Sequence, residues 1–182
     1  MPITEFARPV VYGKRGMICS NSPLAVTAGL KVLQQGGNAF DASLAVAAVE
    51  TVTLVPLCGL GGDSFILFHQ GASSPTPSGK VTGGKVTGIN SSGVAASGAT
   101  SDYYWNQGFK RMPLKGPHAV AVPGEVAAWE EMHHRFCTVP FAELLEPAIA
   151  YAQDGFPISP GIGDNLAASA AKLAQFPASA AL

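Results

Sequence analysis

The densest grouping of reactive side chains in this chain is His133-His134, with Glu130, Glu131 and Cys137 close by. Adjacent helical residues point about 100° apart, whereas a helical zinc motif places its two histidines four residues apart on one face, so no metal site is expected here. Cys137 stands four residues after His133, a spacing that permits a Cys–His pair, but no third group is in place to orient the base. Cys19, Cys58 and Cys137 are an odd number without a CxxC spacing. They define neither a disulfide framework nor a zinc site, and each reads as a small buried hydrophobe. His118, ahead of a short apolar segment, holds either a backbone carbonyl or a ligand, and the backbone role is the simpler one. GLGGDSF, residues 59–65, precedes a strand, whereas a dinucleotide fingerprint follows one and opens a helix. GxxxxGK[ST] is absent, and Met1-Pro2 offers no N-terminal Thr, Ser or Cys. No residue is therefore assigned as a catalytic nucleophile, and no cofactor is implied.

These groups hang on the stretch Gly37 to Phe68. Asn38 is placed to cap a helix, and Asp41 three residues later suits both a capping box and the helix dipole. From Ala42 to Val52 the sequence is mostly Ala and Val, with Glu50 the only charge. A helix that is apolar nearly all round is buried and held by packing more than by propensity. Pro56 ends it, and Gly59, Gly61 and Gly62 permit a sharp bend into the apolar strand Ser64 to His69. Two readings of the glycines stand side by side: they let strand and helix pack closely, or they line an active-site wall whose amides face a ligand.

Elsewhere, Val10, Val11 and Met17 to Cys19 predict a first strand. Ser22 as N-cap, Pro23 at the first helical position and Gly36-Gly37 as the stop delimit a helix, joined to the next by a short connection that favours antiparallel neighbours. Residues 71–85, rich in Gly, Ser, Thr and Pro, read as an exposed loop, and Val86 to Asn90 as a second strand. Ala95 to Gly108 is expected to form an amphipathic helix whose Tyr103, Tyr104 and Trp105 make an ordinary core cluster or, less simply, a pocket wall. Ala119 to Val122 is expected as a short strand, Glu125 to Phe136 and a segment from about Pro140 to Gly155 as helices, and Asn165 to Leu173 as a last helical pattern.

The 182 residues suffice for one domain. Only 13% are charged, about half the usual fraction, which points to surface covered by another chain or by further sequence. A net charge of -1 gives no basis for a nucleic-acid or membrane-surface partner, and no run reaches the roughly 18 apolar residues of a transmembrane helix. The first residues lack the basic-then-apolar pattern of a secretory leader, so cytoplasmic residence is the default expectation, with periplasmic or secreted residence if a leader has been removed.

SNSPLAVTAGLKVLQQGGNAFDASLAVAAVETVTLVP, then GLGGDSFILF, then GPHAVAVPGEVAAWEEMHHRF, then PFAELLEPAIAYAQDGFPIS, form an ordered set that resembles the gamma-glutamyltranspeptidase family, which includes related cephalosporin acylases. The likeness runs from about Met17 to at least Ser159. It implies an α+β fold, the N-terminal nucleophile hydrolase four-layer αββα sandwich, only partly contained in residues 1–182. It also implies a precursor that cleaves itself into large and small subunits, the new N-terminal threonine of the small subunit attacking an amide carbonyl with its own α-amine as base. This chain is similar to the N-terminal part of the large subunit, so the threonine is expected on a downstream or partner segment, in a heterodimer or higher assembly, and the lone chain is expected to be inactive.

One departure bears on substrate. Where the transpeptidases carry an Arg-Glu pair whose arginine grips the α-carboxylate of the γ-glutamyl group, the matching stretch here is Gly88 to Ala95, with Ser91 in the arginine's place. A serine cannot make a bidentate salt bridge. An acylase or amidase-like branch, or a γ-glutamyl enzyme with a different grip, fits better than glutathione specificity. Asp63 stands where the family usually has glycine and adds a carboxylate near the active-site side. Ser91 and Ser92 are the expected acyl-pocket residues, and the substrate a small amide or γ-glutamyl compound. Two alternatives remain: a non-catalytic binding or structural domain derived from the same fold, and a thiol enzyme using Cys137 with His133.

Overall fold

A computed structural model describes residues 10–55, 57–71 and 83–180 of the chain. Helix α1 (Pro23–Gln34) is opened by the Ser22 side chain, which accepts the Ala25 N–H, and ends where Gly36 takes a left-handed conformation. Helix α2 (Ala39–Thr53) starts with the anticipated capping box: Asn38 Oδ1 accepts from the Phe40 and Asp41 amides, and Asp41 Oδ2 accepts from the Asn38 N–H at 2.7 Å. The two helices lie so close that a Cβ at Gly29 would stand 2.6 Å from both Ile18 Cδ1 and Val46 Cγ2. Strands β1 (Ser64–Gln70) and β2 (Lys85–Ser91) pair antiparallel, with Ser64 opposite Ser91 and Ile66 opposite Ile89. Helices α3 (Ser101–Asn106), α4 (Glu125–Phe136), α5 (Phe141–Asp154), α6 (Pro160–Leu173) and α7 (Pro177–Ala180) follow.

The core forms around α2, which packs on α1, α4 and α5 and buries Leu44, Ala45 and Val49 completely. Alanines on its faces let those neighbours approach, and Trp129, Met132 and Leu144 fill the space between. The sheet joins through its inner side chains. Phe68 meets Phe40 and Phe136 with ring centroids 5.0 and 4.8 Å away, tying β1 to α2 and α4. Its outer face stays uncovered, with Phe65 70% and Leu67 78% exposed.

Asp41 fixes the far corner. Wholly buried, it accepts hydrogen bonds from the Thr138 amide and hydroxyl at 2.8 Å each and from the Val139 amide at 3.1 Å, while Asn38 Nδ2 donates to the Phe136 carbonyl. The N-terminus of α2 is thereby clamped to the α4–α5 junction.

Some local expectations are corrected. Val10 to Cys19 forms no strand: of this stretch Ile18 is half-buried and packs on the core of α1 and α2, so helix packing rather than a ladder holds it. Ala119 to Val122 is not a strand either. Pro117–Ala119 is a 3-10 turn, and Val122 donates a single backbone bond, to Val94, at 2.9 Å. The helix expected from Ala95 shrinks to Ser101–Asn106 because the Thr100 side chain caps the Tyr103 amide. The last pattern begins earlier than Asn165, since Ser159 caps and Pro160 takes the first turn, where its missing N–H costs nothing. Of the expected loop 71–85, residues 72–82 lie outside the described residues, and Lys85 already belongs to β2.

Burial alone would raise the Asp41 carboxyl, but its bonds from Asn38, Val139 and Thr138 outweigh burial and hold it below its ordinary 3.8. A lowered folded-state value means the stability it supplies is complete above the unfolded value and is lost as pH falls through the folded one. Asp41→Asn, which aims an NH2 at N–H donors, should cost about 3 kcal/mol in urea unfolding. It should also flatten the acid limb of the stability curve, and an unchanged acid limb would count against this role.

Candidate functional site

The sheet, the glycine turn and the start of α4 converge on one corner. Gly124 ends the loop before α4 and offers no side-chain cap. Instead the Gly62 carbonyl accepts both the Gly124 and Glu125 N–H groups at 3.0 Å, satisfying two orphan donors of the helix. The Ser91 hydroxyl donates to the Gly124 carbonyl at 2.7 Å, and the Gly93 N–H donates to Asp63 Oδ1 at 2.7 Å. A Cβ at Gly124 would run into the Ser91 carbonyl, and one at Gly93 into the Val122 carbonyl. At these positions glycine is demanded by close approach. At Gly59 and Gly61 it is not, because an added Cβ would meet nothing within 4 Å. Packing therefore accounts for the glycines that follow the sheet and not for those at the exposed tip of the turn.

Carboxylates surround the inner side of this corner. Glu125, partly buried, accepts the Trp129 Nε1–H at 2.8 Å. Burial pushes its carboxyl upward, opposed by hydrogen bonds from Trp129 and Ser64 and reinforced by the charges of Glu50 and Asp63. Glu50 accepts from the Ser20 hydroxyl. The Cys58 thiol donates to the Glu50 carbonyl at 3.3 Å and is held protonated to higher pH by burial, then by Glu50 and Glu125. Among the described residues no group of three His, Cys, Asp or Glu side chains has the arrangement to hold a metal ion.

Of the two expected acyl-pocket residues, Ser91 lies on the inner face with its hydroxyl engaged by Gly124, while Ser92 is exposed, its amide donating to Asn90 Oδ1 at 3.0 Å. They share the corner without facing the same way. Asp63 joins them there through Gly93. The sequence reading passed over Ser64 and Glu125, whose pairing depends on strand register: Ser64 faces Ser91 across the ladder and reaches the first residue of α4. PGE before a helical run was the available signal for Glu125.

The Cys–His alternative does not assemble. His133 Nε2 lies 2.9 Å from the Val139 carbonyl, and its ring packs on Phe141. Burial, with the Asp41 carboxylate adding to it, pushes the Cys137 thiol up to about 12, so it is no thiolate nucleophile. The His118 carbonyl accepts from the Tyr104 hydroxyl at 3.0 Å, and its ring sits among Tyr103, Tyr104 and Phe109.

The family profile described as Gamma-glutamyltranspeptidase matches residues 25–182. The chain belongs to this family. Among relatives of the gamma-glutamyltranspeptidase-like chain, the glutathione hydrolase-like YwrD proenzyme of Bacillus subtilis (strain 168) is 39% identical over 82% of the chain and 26% of its own length. The acylase ACY 1 proenzyme of Pseudomonas sp. (strain V22) is 36% identical over 93% of the chain and 30% of its own length. The chain thus spans between a quarter and a third of these curated relatives. Cephalosporin acylase from Bacillus halodurans superposes with a TM-score of 0.82 at 34% identity, over 96% of this chain and 30% of that one. Helicobacter pylori gamma-glutamyltranspeptidase does so with a TM-score of 0.80 at 28% identity, over 94% and 47%. The chain corresponds to the N-terminal part of the family's large subunit, and its helices and two-stranded sheet are a portion of the α+β N-terminal nucleophile hydrolase fold.

The corner's hydrogen bonds predict an order of sensitivity. Ser91→Ala strips the Gly124 carbonyl of its partner and should cost about 1 kcal/mol, whereas exposed Ser92→Ala should stay within about 0.5 kcal/mol. Gly124→Ala should be worse than either, and thermal melts of the three variants would reverse this order if the corner were slack. Cys19 is exposed rather than buried as expected, so iodoacetamide at pH 8 should label it at least about tenfold faster than half-buried Cys58 or Cys137, read by peptide mass spectrometry.

Proposed function

We propose that this chain is the scaffold and part of the acyl pocket of a gamma-glutamyltransferase-like acyltransferase or amide hydrolase. The observation that carries the proposal is the family match over residues 25–182, in a chain spanning 26% and 30% of two relatives named as proenzymes. The nucleophile in this reading is an N-terminal threonine on a downstream or partner segment. Its hydroxyl oxygen attacks the amide carbonyl carbon while its α-amine accepts the hydroxyl proton; the C–N bond then breaks and the departing amine takes that proton. Water or an acceptor amine next attacks the acyl ester and frees the threonine.

Within the chain, the division of labour follows the geometry. Ser91 holds Gly124 and so sets the entry of α4, while exposed Ser92, whose hydroxyl bonds to none of the described residues, would meet the acyl group of a small amide or γ-glutamyl substrate. Neither serine carries charge, which favours an acylase-like acyl group over one gripped by an arginine on this strand. The exposed outer face of the sheet, with Phe65 and Leu67 on it, suits coverage by the segment that brings the threonine, in a heterodimer or higher assembly.

Intact-mass analysis with N-terminal sequencing of the purified native enzyme is the direct test. A second polypeptide beginning with Thr is expected, and its Thr→Ala variant should remain uncleaved and lose at least about 10³-fold in amidase turnover. An uncleaved native protein with no amidase activity would overturn the acyl-enzyme reading in favour of a binding or structural domain.

A further inference from the structure

Beyond the serine corner the chain forms a groove of about 500 Å³, walled by Tyr104, Trp105, Phe109 and Met112 and bearing both Lys110 and Arg111. Gly93 is common to both places: its N–H is held by Asp63 on one side, and it lines the groove on the other. The charge in the groove is of one sign. Among the described residues no Asp or Glu lines it, and the ion pair found there, Arg135 with Glu131, is elsewhere, so Lys110 and Arg111 have no carboxylate partner within the described chain. The walls are held in shape from inside. Tyr104 donates to the His118 carbonyl, and Tyr104, Phe109 and the His118 ring pack edge to face. Trp105, 62% exposed, is one of the residues lining the groove.

Aromatic walls beside two adjacent cations suit a flat apolar body ending in a carboxylate, since guanidinium pairs with carboxylate through parallel hydrogen bonds and the rings take the apolar part. We propose that this groove is a specificity pocket for an aromatic acyl group bearing a carboxylate, with Arg111 and Lys110 as the anion-recognising residues. Naming the ligand as the acyl part of a substrate rests on the acyl-transfer function proposed above; the recognition of an aromatic anion does not.

The two are separated by measuring binding and turnover in the complete, processed enzyme. Calorimetric titration should show 4-carboxybenzamide binding about tenfold tighter than benzamide, and Lys110→Ala/Arg111→Ala should abolish that preference while leaving benzamide affinity unchanged. In turnover, the double variant should raise KM about tenfold for 4-carboxybenzoyl p-nitroanilide and leave kcat/KM for benzoyl p-nitroanilide unaltered. Both side chains are exposed, so the variant should keep the parent melting temperature. No preference in the parent enzyme, or a preference that survives in the double variant, overturns the pocket. Loss of the binding preference in the double variant, in an enzyme that turns over no acyl substrate, upholds the pocket and removes the acyl-transfer reading. Turnover of both substrates, indifferent to the double substitution, does the reverse.

Discussion

A single buried carboxylate holds together elements that the chain separates widely. Asp41 sits at the third position of α2, where its charge suits the helix N-terminus, and its remaining acceptor capacity is taken up by Thr138 and Val139 nearly a hundred residues later. Burying a charge without partners would be severely unfavourable; here every hydrogen bond it accepts also fixes a turn. The α4–α5 junction cannot shift without leaving Asp41 unsatisfied, so the angle between α2 and the two later helices is set. The Phe40, Phe68 and Phe136 rings carry that constraint to the sheet, because each belongs to a different one of the elements that meet there.

At the other end of α4 the constraint is steric rather than electrostatic. Gly62, Gly93 and Gly124 bring three backbone segments within touching distance, and the carbonyl of Gly62 substitutes for a helix cap. Between these two fixed ends α4 is a rigid strut, and a site resting on it would keep its geometry.

Local chemistry made much of this architecture legible. Ser22-Pro23, the Asn38–Asp41 box and the glycine stops marked α1 and α2 because capping is decided within four residues. Glu125 to Phe136 was equally plain from its apolar stripe. What failed was whatever needed a distant partner. Met17 to Cys19 and Ala119 to Val122 have strand-like composition, but a strand exists only where a ladder is available, and here helices or a lone Val94 carbonyl take that place. The site divides the same way. Motif order singled out Ser91 and Ser92, whose acyl-pocket role is part of the proposal above, whereas the Ser64–Glu125 contact depends on register, and the groove depends on a loop folding Lys110 and Arg111 against aromatics.

The resulting distribution of charge differs between the corner and the groove. Burial, with the charges of Glu50 and Asp63 adding to it, raises the Glu125 carboxyl at the start of α4. Lys110 and Arg111 place positive charge across Gly93 in the groove. Opposite charges on either side of Gly93 would orient a polar ligand held between them, most strongly once it has displaced water. An anion near Glu125 would also meet the charges of Glu50 and Asp63, whereas among the described residues the groove lining offers it no carboxylate. With no arginine on β2, a preference for a charged acyl group would have to come from the loop that follows the strand, as the pocket proposed above requires.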